Sequence, residues 1–430
     1  MIILHLTRVV RPRRTFLRLL STNPVPNQTT DLQIEGKSFQ KDDYTNITPK
    51  ILNLLERKLH TQPQHPLCLV KQRIVDYFYK TFKNARGNPT FSVYDNLSPI
   101  VSVGQNFDSL LIPQDHPTRA KSDCYYINRE YLLRAHTTSH QSDLIRSGLD
   151  SFLVAGDVYR RDEIDSTHYP VFHQIDAVKL YTKDQLFPKN QELELFEKGS
   201  SCEGGKQECH TLEAMKVLEH SLKSSLGGLA QSIFGPEAES RWVETQFPFT
   251  TPSWELEVKH KGDWLELLGC GIMKQQILTE AGVYDQVGWA FGIGLERIAM
   301  KVYQIPDIRL FWSTDSGFLN QFKDASPQSN IIYKPISQFP QCTNDISFWL
   351  PDHGLYNSND FYDLVRSIGG DIIEQVTLVD NFVHPKTKNT SHCYRIVYRH
   401  MEKTLTQEEV SVVHKEIENT ATKELNVRIR

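Results

Sequence analysis

The chain has 430 residues, a formal net charge of −4 and seven irregularly spaced cysteines. That length implies two or three domains with a sizeable core. No run approaches the roughly 18 consecutive apolar residues of a membrane-spanning helix, and an odd, scattered cysteine set argues against a secreted disulfide scaffold and for a reducing compartment.

Residues 1–30 differ from the remainder. Arg8, Arg11, Arg13, Arg14 and Arg18 are the only charged side chains before Asp31, set among Ile2, Leu4, Leu6, Val9, Phe16, Leu17 and Leu20. Arg-rich, acid-free and amphipathic composition is the mark of a mitochondrial transit peptide. Without those arginines the formal charge would fall from −4 to about −9, which makes any local basic patch more informative.

Thr48-Pro49 opens a helix by cap and first-turn proline, with Ile51, Leu54, Leu55 and Leu59 on one face. A second helix is predicted from Leu69 to Phe82, and a short one starting near Asn106. At Tyr131 to Gln141 a strand gives way to hydroxyls, imidazoles and an amide, ahead of a helix over Asp143 to Gly148; such a run can bind a small polar ligand. Leu153 to Asp176 reads as strand, charged loop and strand, with Arg160 and Arg161 adjacent. In its return strand Val171, His173 and Ile175 face one way and Phe172, Gln174 and Asp176 the other. A hairpin of this kind can hold a guanidinium fork, an aromatic face and an amide over one polyanion.

Lys189 to Gln207 is a hydrophilic loop; Cys202, Cys209 and His210 lie near one another but lack a paired CxxC pattern, so zinc is not expected. Leu212 to Leu229 forms an amphipathic helix. Trp254, Leu256 and Val258 alternate with Glu255, Glu257 and Lys259, the chain turns at Lys261-Gly262, and Trp264 to Leu268 returns. Glu266 shares a face with Trp264 and Leu268, so the expectation is either a buried carboxylate at a cation or ligand, or an edge strand open to water. Trp289 to Gly294 is a strand whose glycines permit close approach of a ligand. It runs into a helix with Arg297 in the first turn, where the dipole disfavours a cation unless an anion is near.

The C-terminal part reads β (Thr343 to Leu350), α (Asn359 to Ile368), β (Asp371 to Phe382), β (His392 to Arg399), α behind a Thr406/Glu409 capping box, and β (Leu425 to Arg430). That order is a ferredoxin-like βαββαβ module. Lys386, Lys388, Arg395, Arg399 and Lys403 face a single acid, Glu402, between Asn381 and Lys403, with Tyr394 and Tyr398 interleaved; this is a candidate phosphate-binding and base-stacking surface.

Taken together, GDVYRRDEIDSTHYPVFHQ resembles motif 2 of class II aminoacyl-tRNA synthetases and GIGLERIAM resembles their motif 3. RAHTTSHQ, FPFTTPS and QID are similar to the amino-acid pocket segments of phenylalanyl-tRNA synthetases, and QCTNDISFWLP with the βαββαβ module resembles the C-terminal anticodon-binding domain of the single-chain mitochondrial form. The match runs from about Thr48 to Arg430. It implies an α+β fold, an antiparallel class II sheet flanked by helices plus a ferredoxin-like anticodon-binding domain. The domains expected are a transit peptide (1–30), a catalytic domain (31–312), a linker (313–337) and the anticodon-binding domain (338–430).

The resemblance further implies ATP-dependent ligation of phenylalanine to mitochondrial tRNA(Phe) through an adenylate, with ATP and Mg2+, by a monomer in the mitochondrial matrix. By match to the motifs, Arg160, Thr167, His168, Tyr169, Phe172, Glu266 and Arg297 serve ATP. Arg160 is on the α-phosphate, Glu266 at the metal, and the adenine lies between Phe172 and Arg297. His136, Thr138, Ser139, His140, Gln141, Gln174, Ile175, Asp176, Phe247, Phe249 and Phe291 serve phenylalanine, and Lys386, Lys388, Arg395 and Arg399 the tRNA. The sequence departs from the family at Asp162 and Asp176, each an aspartate where a glutamate is common, and at Thr251. An apolar pocket rejects an added hydroxyl by only about 10², so imperfect discrimination against tyrosine is expected. Two rival readings are a catalytically inactive RNA-binding relative and a ligase joining an amino acid to something other than tRNA.

Overall fold

A computed structural model describes residues 31–198, 206–335, 340–351, 356–400 and 403–430; the expected transit peptide and Cys202 lie outside these. The predicted helices form where their caps stand. Thr48 caps α1 (Pro49–Leu54), and His65 with Pro66 begins α2 (Pro66–Thr81) three residues earlier than apolar spacing alone indicates. The short helix near Asn106 also starts earlier, at Val103, because Ser102 and Gln105 close a capping box.

A seven-stranded sheet is the frame of the larger unit. Its strands are β1 (Ser92–Tyr94), β2 (Ser151–Tyr159), β3 (Val171–Thr182), β4 (Ser240–Phe247), β5 (Thr250–His260), β6 (Asp263–Met273) and β7 (Gln286–Gly294). They lie in the order β1-β2-β3-β7-β6-β5-β4, antiparallel except for β1 against β2. Helices α2, α3 (Leu212–Phe234) and α4 (Leu295–Val302) bury their apolar faces with Ile175, Leu256, Trp289 and Ile293 in one core. Period two then leaves the opposite face of β3, β7 and β6 free for a site. Across it one row runs Asp176, Gly292, Gly269 and Glu255 on four neighbouring strands. The segment at 313–335, polar in composition, contributes Phe318, Phe322 and Tyr333 to the same core.

The C-terminal unit has β8 (Cys342–Trp349), α5 (Ser358–Gly369), β9 (Ile373–Val383), β10 (Thr390–Tyr398), α6 (Gln407–Glu424) and β11 (Arg428–Ile429). The sheet order is β9-β10-β8-β11, the arrangement of a ferredoxin-like βαββαβ fold, and the Thr406/Glu409 capping box forms as expected. Its own core holds Ile346, Phe348, Phe361, Tyr394, Ile396 and Tyr398, and one residue from far away, Ile164.

Candidate functional site

The loop between β2 and β3 carries two adjacent arginines, both at the edge of one cavity, that the fold gives different partners. Arg160 bends back over the sheet: its Nε donates to the Ala135 carbonyl at 2.8 Å, and its guanidinium carbon lies 5.2 Å from the centre of the Phe172 ring. No carboxylate among the described residues lies within ion-pairing distance of it. Arg161 instead reaches the C-terminal unit, 3.0 Å from Asp360 and 3.4 Å from Asp363.

Below Arg160 is a cavity of about 610 Å³, lined by His136, Thr138, Arg160, Gln174, Asp176, Phe247, Phe249, Ala290, Gly292, Glu255 and Glu266, among others. Glycines make its floor. A Cβ on Gly292 would lie 2.8 Å from Asp176 Oδ1, and one on Gly269 2.8 Å from Phe247 Cζ, so the floor exists only because both side chains are absent. Phe247 and Phe249 stand parallel, centroids 5.7 Å apart, as an apolar wall. At the other end the polar groups are underused: both ring nitrogens of His136 and Gln174 Oε1 are buried with no partner. Buried polar atoms of this kind call for a ligand or water. Burial, and then the Arg160 charge, depress His136 to about 3, so its ring is neutral. Burial raises the Asp176 carboxyl to about 6 despite the hydrogen bond it accepts from Thr138. A neutral imidazole, a buried carboxylate, a guanidinium with no ion-pair partner among the described residues and an aromatic wall together fit a ligand with an ammonium, a phosphate or carboxylate, and a ring.

Several expected residues sit elsewhere. Ile175 points into the helix-side core and is not among the cavity-lining residues, whereas Phe291 does line the cavity, with its ring stacked on Phe78 at 5.5 Å. Ser139 Oγ donates to the His136 carbonyl, and His140 Nε2 meets Arg134 at 2.9 Å. Gln141 is buried but is not among the cavity-lining side chains. Thr167 and His168 are folded onto Asp165, whose carboxylate accepts from both residues. Burial opposes ionisation of Asp165, but the bonds from His168 and Thr167 hold its carboxyl well below the usual range, and the same Asp165 bond raises His168. His168 borders a small cleft with Arg309, Arg366 and Gly370, and Tyr169 stacks on Trp312 and donates to Asp371. The motif 2 loop thus faces the C-terminal unit: Arg366 donates to the Asp162 and Glu163 carbonyls, and Val376 N–H to the Ile164 carbonyl.

Of the two expectations for Glu266, the structure has the one open to water, with a cation beside it. A register shift between Glu266 and Leu268 breaks the alternation, leaving the Glu266 side chain 52 % exposed and 3.2 Å from Arg297. That pairing also answers the cation at the start of α4. Neither Phe172 nor Arg297 lines the cavity itself; each touches a residue that does. Sequence reasoning missed Glu255. Its signal was present, because it alternates with Trp254 and Leu256, which are buried on the helix side.

The C-terminal surface is also rearranged relative to expectation. Tyr394 and Tyr398 are fully buried against α5 and α6 and cannot stack on bases, while Arg395 pairs with Asp345 at 2.9 Å and Arg399 with Glu374 at 3.0 Å. Lys386 and Lys388 are exposed at the β9–β10 turn. The outward aromatics are Trp349 and Phe382, with the Arg430 guanidinium 5.4 and 5.5 Å from their centroids and His384 beside both.

Two family profiles match: tRNA synthetases class II core domain (F) over residues 52–187 and 208–322, and the ferredoxin-fold anticodon binding domain over 337–430. Among curated relatives, a probable mitochondrial phenylalanine–tRNA ligase of Drosophila melanogaster is 56% identical over 94% of both chains. A mitochondrial phenylalanine–tRNA ligase of Mus musculus is 53% identical over 93% of this chain and 89% of its own. The Saccharomyces cerevisiae mitochondrial enzyme is 36% identical over 99% of this chain and 100% of its own.

Proposed function

Because the chain belongs to the mitochondrial phenylalanine–tRNA ligase family, class II synthetases with a ferredoxin-fold anticodon-binding domain, we propose that it activates phenylalanine with ATP as an enzyme-bound adenylate. It then esterifies mitochondrial tRNA(Phe), acting as a monomer in the matrix. The observation that carries this reading is the convergence, in one cavity, of Arg160 with the orphaned polar atoms of His136 and Gln174 beside the stacked Phe247 and Phe249.

In this reading the ring of phenylalanine lies against Phe247 and Phe249, and its ammonium meets Asp176, Thr138 and Gln174. The substrate carboxylate, already ionised at neutral pH, attacks the α-phosphorus; the bond to the bridging oxygen breaks and pyrophosphate leaves. Arg160 holds the α-phosphate oxygens through its planar fork and stabilises the charge that builds on them. A ribose hydroxyl of the terminal tRNA nucleotide then attacks the carbonyl, AMP departs and the hydroxyl proton is lost. Glu266 and Glu255, which line the cavity, would hold a Mg2+, a metal that needs only one or two protein ligands and would supply positive charge against the ATP phosphates. Thr167, His168 and Tyr169 join the ATP site only with a change in how the C-terminal unit sits on their loop. The tRNA is met by Lys386, Lys388, Arg395 and Arg399, with Trp349, Phe382 and Arg430 as a stacking surface, and the two units divide across 313–337.

Phenylalanine-dependent exchange of pyrophosphate into ATP, followed by charging of mitochondrial tRNA(Phe), tests the proposal. Both are expected. Absence of exchange would favour an inactive RNA-binding relative; exchange without charging would favour a ligase with another acceptor. A finer check is Gly269→Ala, whose methyl displaces the Phe247 ring from the wall. It is expected to raise KM for phenylalanine by about 10-fold, the scale of one misplaced methyl in an apolar pocket, with KM for ATP little changed.

A further inference from the structure

We propose that Arg134 is a positioning residue: it binds no substrate, but its guanidinium locks the segment presenting His136 and Thr138 to the strand presenting Arg160, so that one buried group sets both halves of the site. This rests on the reading of the cavity given above.

Arg134 is 1% exposed, and its guanidinium is shared among three segments. Nε donates to the Asp157 carbonyl at 2.7 Å and Nη2 to Asp157 Oδ1 at 2.8 Å. Nη1 points to the Leu97 carbonyl at 3.3 Å and to His140 Nε2 at 2.9 Å. The last contact requires His140 to accept, hence to be neutral, and burial followed by the Arg134 charge does depress that imidazole to about 3. The Tyr159 hydroxyl holds the second Asp157 oxygen. Burial alone would raise the Asp157 carboxyl; Arg134 and then Tyr159 outweigh it and hold the group below its usual value.

The backbones are joined on either side of this pair. Tyr159 N–H donates to the Arg134 carbonyl at 2.9 Å, and Arg160 Nε to the next carbonyl, that of Ala135, at 2.8 Å. One residue further on is His136. Gly156 completes the fit. A Cβ there would fall 2.0 Å from Arg134 Nη2, so the guanidinium occupies the space of a missing side chain, and Gly156 is paired in register with Gln174. A displaced guanidinium therefore disturbs His136, Arg160 and Gln174 at once. Lysine cannot replace it, because a single ammonium has no plane with which to address Leu97, His140 and Asp157 together.

The test compares Arg134→Lys and Tyr159→Phe with the wild-type chain in pyrophosphate exchange, with constants expressed per folded molecule and Tm measured in parallel. Displacements of about an ångström cost about 10²-fold in rate. Arg134→Lys is expected to lower kcat/KM by that factor for phenylalanine and for ATP together, and Tyr159→Phe to lower both by a smaller common factor. A purely structural side chain would reduce Tm and leave both constants per folded molecule in place, and that result overturns the proposal. So does a change confined to one substrate, or failure of both variants to fold. If Arg134→Lys alone fails to fold, Tyr159→Phe decides on the same criterion. A wild-type chain without exchange would instead remove the reading of the cavity.

Discussion

Replacing Arg160 by alanine is expected to reduce phenylalanine-dependent pyrophosphate exchange by about 10³-fold or more, while thermal unfolding changes little. The size follows from the role: removing a single preorganised donor to developing charge costs about 10²–10³, and a guanidinium supplies more than one. The small structural effect follows from how few ties the side chain has. Among the described residues it makes one side-chain hydrogen bond, to the Ala135 carbonyl, one contact with the Phe172 ring and no ion pair; a hydrogen bond from a charged donor is worth about 1.5–3 kcal/mol, and the cost of burying the charge offsets it. Arg160→Lys keeps the charge but loses the fork, so it should recover only part of the rate. Exchange close to wild type in the alanine variant would remove Arg160 from the α-phosphate. Arg161 is the control next door. Its loss should loosen the C-terminal unit, which it holds through Asp360 and Asp363, and lower exchange far less than the loss of Arg160 does.

The second large effect is expected at Asp176. Its carboxyl is raised to about 6 by burial, from an unfolded value near 3.8. The folded state therefore binds more protons than the unfolded one between those pH values, and ligand-free stability falls as pH rises through that window. A shift of about two units corresponds to a change on the order of 3 kcal/mol. On the proposed function the ammonium of phenylalanine reverses the balance by pairing with the ionised form. Affinity for phenylalanine should accordingly weaken about tenfold per pH unit below about 6, read by calorimetric titration. Asp176→Asn should flatten both pH dependences, make the ligand-free protein more stable at pH 7, and raise KM for phenylalanine by about 10²-fold or more, the scale of a lost charge-assisted contact. A variant that keeps both the affinity and the wild-type pH profile would place the ammonium elsewhere. The two predictions share a cause. Arg160 and Asp176 are charges the fold leaves with little compensation; on the proposed function a substrate supplies it, so activity and ligand-free stability pull in opposite directions there.

Local pattern made a large part of this legible. Period two along Val171 to Asp176 put Gln174 and Asp176 on the site face and Ile175 opposite, where the structure has them. The βαββαβ order and its capping box were equally readable, since both depend on residues a few positions apart. Periodicity also contained two answers not drawn from it. Tyr394 and Tyr398 share a face with Ile396 and are core residues, and Glu255 belongs to the site face.

What the sequence by itself determined, then, was which elements form, which face of each is apolar, and which motifs lie on them in what order. The tertiary structure alone decided what each face meets. It separated Arg160 from Arg161, neighbours of identical chemistry at one cavity, by leaving the first without an ion-pair partner among the described residues and giving the second two carboxylates some two hundred positions away in the chain. It turned Thr167, His168 and Tyr169 toward the C-terminal unit and set Ile164 in that unit's core. A bulge moved Glu266 from an interior position to Arg297. The physical reason is the same in each case. Backbone periodicity is fixed by bonds between near neighbours, whereas burial, pairing and charge compensation depend on register between strands and on docking between units, and those contacts are not encoded in any one stretch of chain.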